Sequence, residues 1–204
     1  MSENKAGEIS RRAVIASAAI VPVAAITAAA QTAAPAPSPL SDAQLRLLAA
    51  FVDRIIPKDE LGPSASECDV PIYINRSLGD YLAGEKTAFI EGLEATDAFA
   101  RRSQTRPFIE LTPEKQDAVL TAMESGAAEG FPNARGFFNR ARRLTMEGMF
   151  GDPYYGGNKN FAGWDLIRYP GPRLATTADD QKMGVQIKPY HHSAYGAAGE
   201  NHGH

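Results

Sequence analysis

The side chains able to do chemistry in this chain are few and scattered. Cys68 is the single cysteine, so no disulfide can form within the chain, and the cysteine-based zinc and iron–sulfur frameworks are excluded. Glu67 and Asp69 flank it and disfavour a thiolate, which points to an inert thiol. All four histidines, His191, His192, His202 and His204, fall in the final stretch. A Ser-His-Asp triad needs a histidine inside the fold, whereas this Gly- and Ala-rich tail reads as mobile chain beyond it. His191-His192 would at most capture a stray divalent ion. Asp152 and Asp165 are carboxylates of the kind sugar hydrolysis uses, but Asp152 precedes Pro153, where an Asx-type turn accounts for it more simply. No Gly-x-Gly-x-x-Gly between a strand and a helix offers a dinucleotide site, and no Cys-x-x-Cys-His offers haem attachment. The reading therefore assigns no catalytic, cofactor-binding or metal-ligating residue.

Recognition chemistry is better represented. From Glu147 to Arg173 the chain concentrates glycines, prolines and aromatics, with its one tryptophan, Trp164. Flexible linkers are Ser-rich and poor in large apolar groups, so this stretch is expected to be an ordered loop. Asp152, Tyr154, Tyr155, Trp164, Tyr169 and Arg173 are its candidates for a partner interface, since Trp, Tyr and Arg dominate interface anchors. The same rings serve equally well packed on the chain's own helices, and Arg173 equally well in solvent. Glu147 lies four residues beyond Arg143, a spacing that suits a weak surface ion pair.

The elements that must position this loop are helical. Ser41 and Gln44 have capping-box spacing, and Leu45, Leu48, Val52, Ile55 and Ile56 recur at helical intervals up to Pro57. Asp53-Arg54 and Lys58-Asp59-Glu60 read as solvated charge on this helix. Val70, Ile74, Leu78 and Tyr81 suggest a second helix. A third is expected over about 85–102, with Phe89, Leu93, Thr96 and Ala100 on one face. Thr112-Pro113 marks a helix start, Val119, Ala122 and Met123 supply its apolar side, and Gly126 ends it. A fifth carries Phe137, Ala141, Leu144 and Gly148 in one stripe, with Phe138, Thr145 and Met149 beside it. No sustained alternation suggests strands, and no repeat is evident. The expected fold is all-α, an irregular bundle of about five helices followed by the long Gly/Pro/aromatic loop.

The chain has 204 residues, 44% hydrophobic and 22% charged, enough for one domain with a core. Its formal charge of −3 and scattered Lys and Arg argue against nucleic acid. Residues 1–30 have the layout of a cleavable export signal: Arg11 and Arg12 precede a weakly apolar run to Ala30, and Ala28 and Ala30 fit a cut before Gln31. Adjacent arginines point to the twin-arginine route. A retained anchor fits less well, because the run is Ala-rich, barely long enough and broken by Pro22. Residues 31–40 read as a Pro/Ala spacer, 41–174 as the helical domain, and 175–204 as a flexible tail.

Asp53-Arg54-Ile55-Ile56-Pro57, Val70-Pro71-Ile72-Tyr73-Ile74-Asn75, Gln116-Asp117-Ala118, the run Glu147-Gly148-Met149-Phe150-Gly151-Asp152-Pro153 and Tyr169-Pro170-Gly171-Pro172-Arg173 together carry a resemblance. Across about 40–173 the chain resembles the small subunit of membrane-bound gluconate 2-dehydrogenase. The resemblance implies a non-catalytic partner of a large FAD-binding dehydrogenase subunit that oxidises a sugar, sugar acid or polyol. A multihaem cytochrome c then passes electrons to the membrane quinone pool. FAD and haem c are accordingly expected in the partners, with no cofactor in this chain. It further implies a periplasmic, membrane-associated complex in which this chain lends its twin-arginine signal to the flavoprotein. Two readings from the residues alone stay open beside it: a stand-alone carboxylate-dependent sugar enzyme, and a periplasmic sugar-binding module stacking sugars on the loop aromatics.

Overall fold

In a computed structural model that describes residues 38–173 and 175–196, the chain folds into six α-helices: α1 Asp42–Ile55, α2 Val70–Gly79, α3 Lys86–Gln104, α4 Pro113–Ser125, α5 Ala134–Phe150 and α6 Ala162–Leu166. Among the described residues there is no strand, as expected. No helix among them is long and apolar enough to cross a membrane. The expected export signal, with Arg11 and Arg12, lies outside the described residues.

α1 opens on the capping box its sequence announces. Gln44 N–H donates to Ser41 Oγ at 3.3 Å, and Ser41 N–H donates to Gln44 Oε1 at 2.9 Å, which satisfies two otherwise orphaned donors. The helix contacts α2, α3, α4 and α5 and buries Leu47, Leu48, Phe51 and Val52. Phe51 is the centre of the core, its ring about 6 Å from those of Phe108, Phe137 and Phe138. α5 buries the whole stripe its spacing predicts, from Phe137 to Met149. The fold is thus two central helices, α1 and α5, with α2, α3 and α4 packed around them.

Three expectations change. α2 stops at Gly79, so Tyr81 leaves the helical stripe; it is exposed, and its hydroxyl lies 2.9 Å from that of buried Tyr73. Thr112 takes the extended backbone of an N-cap, but its side chain makes no capping bond to the helix. Asp53 and Arg54 are not merely solvated charge. Asp53 accepts Ser66 N–H and Oγ–H, both at 2.7 Å, and fixes the α1–α2 connection. Arg54 forks onto both oxygens of Asp117 on α4 at 2.7 and 2.8 Å, the bidentate geometry that makes such pairs directional. Cys68 is buried; burial first, then the Glu67 and Asp69 charges, pushes its thiol pKa up, in keeping with an inert side chain.

Candidate functional site: the loop laid across the end of the last long helix

An α-helix leaves its last four carbonyls without intrahelical donors, and residues after α5 bring donors to its end. The Trp164 indole N–H donates to Phe150 O at 2.9 Å, and Asn158 Nδ2 donates to Gly151 O at 2.8 Å. Asn158 Oδ1 accepts Gly163 N–H at 2.8 Å, so one amide clamps both limbs of the loop. Asn158 is 0% exposed and left-handed, at φ 47, a conformation that Asn tolerates better than most residues. Two glycines permit the close approach. A Cβ on Gly157 would sit 2.1 Å from Gly148 O, and one on Gly163 would sit 1.8 Å from Met149 O. Only a residue without a side chain fits either place.

Short turns that composition alone did not resolve run through this stretch: one-turn helices at Pro153–Tyr155 and Lys159–Phe161, then α6. Asp152 forms the expected Asx turn, its Oδ1 accepting Tyr154 N–H at 2.9 Å. Lys159 N–H donates to Cys68 O, and its ammonium lies 3.2 Å from Asp69, which ties the loop to the start of α2. Of the two places open to the tryptophan, the structure gives it the chain's own interior. Trp164 is 4% exposed, against Phe161 and Tyr169 with ring centroids at 5.2 and 4.9 Å. Tyr155 and Tyr169 stay substantially exposed, at 46% and 39%.

Part of the tail expected to lie beyond the fold returns to this loop. Arg173 Nη2 donates to Lys188 O, so its guanidinium is held by backbone. Tyr190 N–H donates to Pro170 O at 3.0 Å, and Ala194 N–H donates to Asp152 Oδ2 at 2.9 Å. His191 lies flat on the Phe161 ring, 5.0 Å between centroids, with Nε2 2.7 Å from Asp165 Oδ1. Tyr195 joins Tyr154 and Tyr155 in a cluster with centroids 5.3–5.6 Å apart. The hydrogen bond it shares with Tyr195, followed by burial, holds the Tyr155 phenol above its ordinary pKa.

This arrangement brings Asp152, Tyr154, Tyr155, Trp164, Tyr169 and Arg173 into one region, held by partners inside the chain. Both Asp152 oxygens accept backbone N–H groups, and Asp165 engages His191, which leaves neither carboxylate poised over a common cleft. Among the described residues, no serine, threonine or cysteine side chain hydrogen-bonds to His191, and no three His, Cys, Asp or Glu residues converge as for a metal. Sequence reasoning missed Asn158, whose signal was its place after two glycines. It also missed the trio of Tyr73, Tyr81 and Glu147. There the Tyr73 hydroxyl donates to Glu147 Oε2 at 3.1 Å, and burial, Tyr81 and the Glu147 charge together push the Tyr73 phenol well above its ordinary range. Arg143 lies 3.7 Å from Glu147, the pair its spacing predicts.

Taken together, the bundle and its clasped loop define a small all-α domain whose loop leaves Tyr155 and Tyr169 exposed. A family model described as gluconate 2-dehydrogenase subunit 3 matches residues 42–171, and the chain belongs to that family. Neither a curated protein nor a solved structure matches it. The matched span covers every helix and the loop through Gly171, and it stops before the returning tail.

Proposed function

We propose that this chain is the non-catalytic small subunit of a membrane-associated FAD-dependent dehydrogenase complex acting on a sugar, sugar acid or polyol. Membership in the family makes it a subunit of a dehydrogenase complex. In the proposed role it binds the folded flavoprotein, carries it through the twin-arginine route on the signal bearing Arg11 and Arg12, and remains as a stabilising subunit. FAD resides in the large subunit and haem c in a multihaem cytochrome, with the complex on the periplasmic side of the membrane. The observation that carries the reading is the family match running through the loop, whose Tyr155, Ile167 and Tyr169 stand exposed on a rigidly capped frame. Ordered apolar side chains that the fold leaves uncovered suit a protein partner.

The test is co-purification. The full chain, tagged and produced in its source cells, is expected to bring down a protein with flavin absorbance, and Arg11→Lys/Arg12→Lys is expected to hold both proteins in the cytoplasm. Recovery of the chain without any flavoprotein would sink the proposal. Export of the flavoprotein in cells lacking this chain would remove the escort role alone. No observation favours the carboxylate-dependent enzyme, because Asp152 and Asp165 are each occupied within the chain.

A further inference from the structure

Where the tail comes back to the loop it closes a hollow of about 720 Å³ against Pro172 and Arg173, a size that small ligands occupy. Two hydrogen bonds pin its limbs side by side: Arg173 Nη2 donates to Lys188 O, and Tyr190 N–H donates to Pro170 O at 3.0 Å. Between them Gly171 lies at φ +83, and a Cβ there would sit 2.1 Å from Tyr190 O. Glycine alone permits both that conformation and that approach. His192 N–H donates to Tyr190 O at 2.9 Å, and the two rings stack with centroids 4.1 Å apart and planes 9° from parallel.

The charge around this hollow has one sign. Arg173, Lys188, His191 and His192 line it, and among the described residues no carboxylate does. The Lys188 ammonium makes no hydrogen bond or ion pair among those residues, and Arg173 commits one N–H to Lys188 O, which leaves most of its fork free. Two carboxylates lie nearby, and both are engaged. Asp165, beside Lys188 in the adjoining hollow, meets His191 Nε2 at 2.7 Å. Asp180, whose carboxyl feels the Arg173 charge, accepts Thr177 N–H and Oγ–H at 2.8 and 2.9 Å. Among the described residues, neither is within ion-pair distance of Arg173 or Lys188.

Two fixed cations on one hollow match the charge of a phosphate monoester, about −1.5 to −2 at neutral pH, and a guanidinium fork beside an ammonium is the chemistry that holds such a group. We infer that this hollow binds a phosphate monoester, its dianion held between Arg173 and Lys188 and its organic part against Pro172, Pro189 and Tyr190. Soluble phosphorylated compounds and a lipid headgroup such as that of phosphatidic acid carry the same group and would make the same contacts. The cationic groups all lie beyond residues 42–171, the span that the family model matches. The site therefore goes beyond the proposed function and is a property of this chain's tail.

The experiment titrates the purified full chain with phenyl phosphate and with inorganic phosphate by calorimetry at low salt. Both are expected to saturate at one per chain, phenyl phosphate the more tightly because it also has a ring to bury. Lys188→Gln is expected to weaken phenyl phosphate about tenfold, and Arg173→Gln at least as much, with smaller differences at high salt. Lys188→Gln removes a side chain that the fold does not use, so it tests the charge alone. Hydrogen exchange at the Tyr190 amide shows whether the tail stays on the loop in the Arg173 variant. Lys115→Gln, at an exposed lysine of α4, is the control and binds as the wild type does. A second arm measures co-sedimentation with phosphatidylcholine vesicles made with and without phosphatidic acid. Binding that needs phosphatidic acid and is lost in Lys188→Gln assigns the site to a lipid headgroup, and Lys188-dependent heat with phenyl phosphate alone assigns it to a soluble ester. Absence of Lys188-dependent binding in both arms would overturn the inference, as would equal weakening by Lys115→Gln. Neither result touches the proposed function, which is read from recovery of the flavoprotein.

Discussion

The helical body and the loop beyond α5 belong to one chain yet are held by different means. Around Phe51 the body relies on apolar burial: four phenylalanine rings, together with Leu48, Leu93 and Leu144, close out water, and the buried Thr96, Gln116 and Thr145 side chains bond to backbone carbonyls. The loop has few large buried side chains and relies instead on directed hydrogen bonds, in which one asparagine, one indole and two side-chain-free glycines fit the unsatisfied end of a helix. Burial tolerates approximate shapes, because volume is what matters. Directed bonds do not, since a lost partner leaves a polar group stranded. The body can drift in sequence while keeping its pattern, whereas the loop must keep particular residues at particular positions.

That contrast can be broken or sharpened by substitution. In the body, Phe51→Ala is expected to cost about 3–5 kcal/mol, read from chemical denaturation, with far-UV and tryptophan signals lost together. In the loop, Asn158→Ala is expected to cost about 2–3 kcal/mol, through two stranded groups, with a red shift of Trp164 emission before the helices melt. Asn158→Gly separates the causes: it suits the backbone but still lacks the amide, so a loss close to that of alanine assigns the effect to the side chain, and near-complete rescue would assign it to the left-handed backbone.

Between helices, Asp117→Asn is expected to cost less than about 1 kcal/mol, because the pair it breaks is half-exposed and screened. The pair also carries a pH signature. The Arg54 hydrogen bond holds the Asp117 carboxyl below its ordinary value of 3.8, so the folded chain takes up that proton less readily than the unfolded chain. Its stabilisation is complete above that ordinary value and is lost as pH falls through the lowered one. Denaturation midpoints across the acid range should therefore converge for wild type and Asp117→Asn at the lowest pH. Smallest is His191→Ala, expected to change stability by no more than about 0.5 kcal/mol. It should nonetheless speed hydrogen exchange at the Ala194 amide, which the tail's contact with the loop protects. An unchanged exchange rate would show that Asp152 holds the tail without help from His191.

These results also indicate what could be read from the sequence. The apolar spacing of α3 and α5 gave their buried faces, because helical period and burial are coupled wherever a helix lies on a core; on α1 it marked Leu48 and Val52 but not Leu47 or Phe51, which the core also buries. Ser41 with Gln44 gave the start of α1, since a cap is a local event. Arg54 and Asp117 lie 63 positions apart, and nothing local marks such a pair. Trp164 was legible as an anchor but not as to where it is anchored, for an indole fits its own core and a partner by the same physics. The return of the tail rests on a backbone N–H reaching Asp152 and a stacked histidine, contacts with no periodicity to betray them.

The two glycines under the loop have a last consequence, for inheritance rather than stability. Because Gly157 and Gly163 touch backbone on α5, the chain from Gly151 to Gly163 has a fixed count: one residue more or fewer would move Asn158 off Gly151 O and the indole off Phe150 O at once. The arc at 175–187 has no such register, and its described residues bond chiefly among themselves. Related chains should therefore keep the first interval at one length and vary freely in the second, and a peptide tag inserted at Gly184 should be carried without disturbing the clasp.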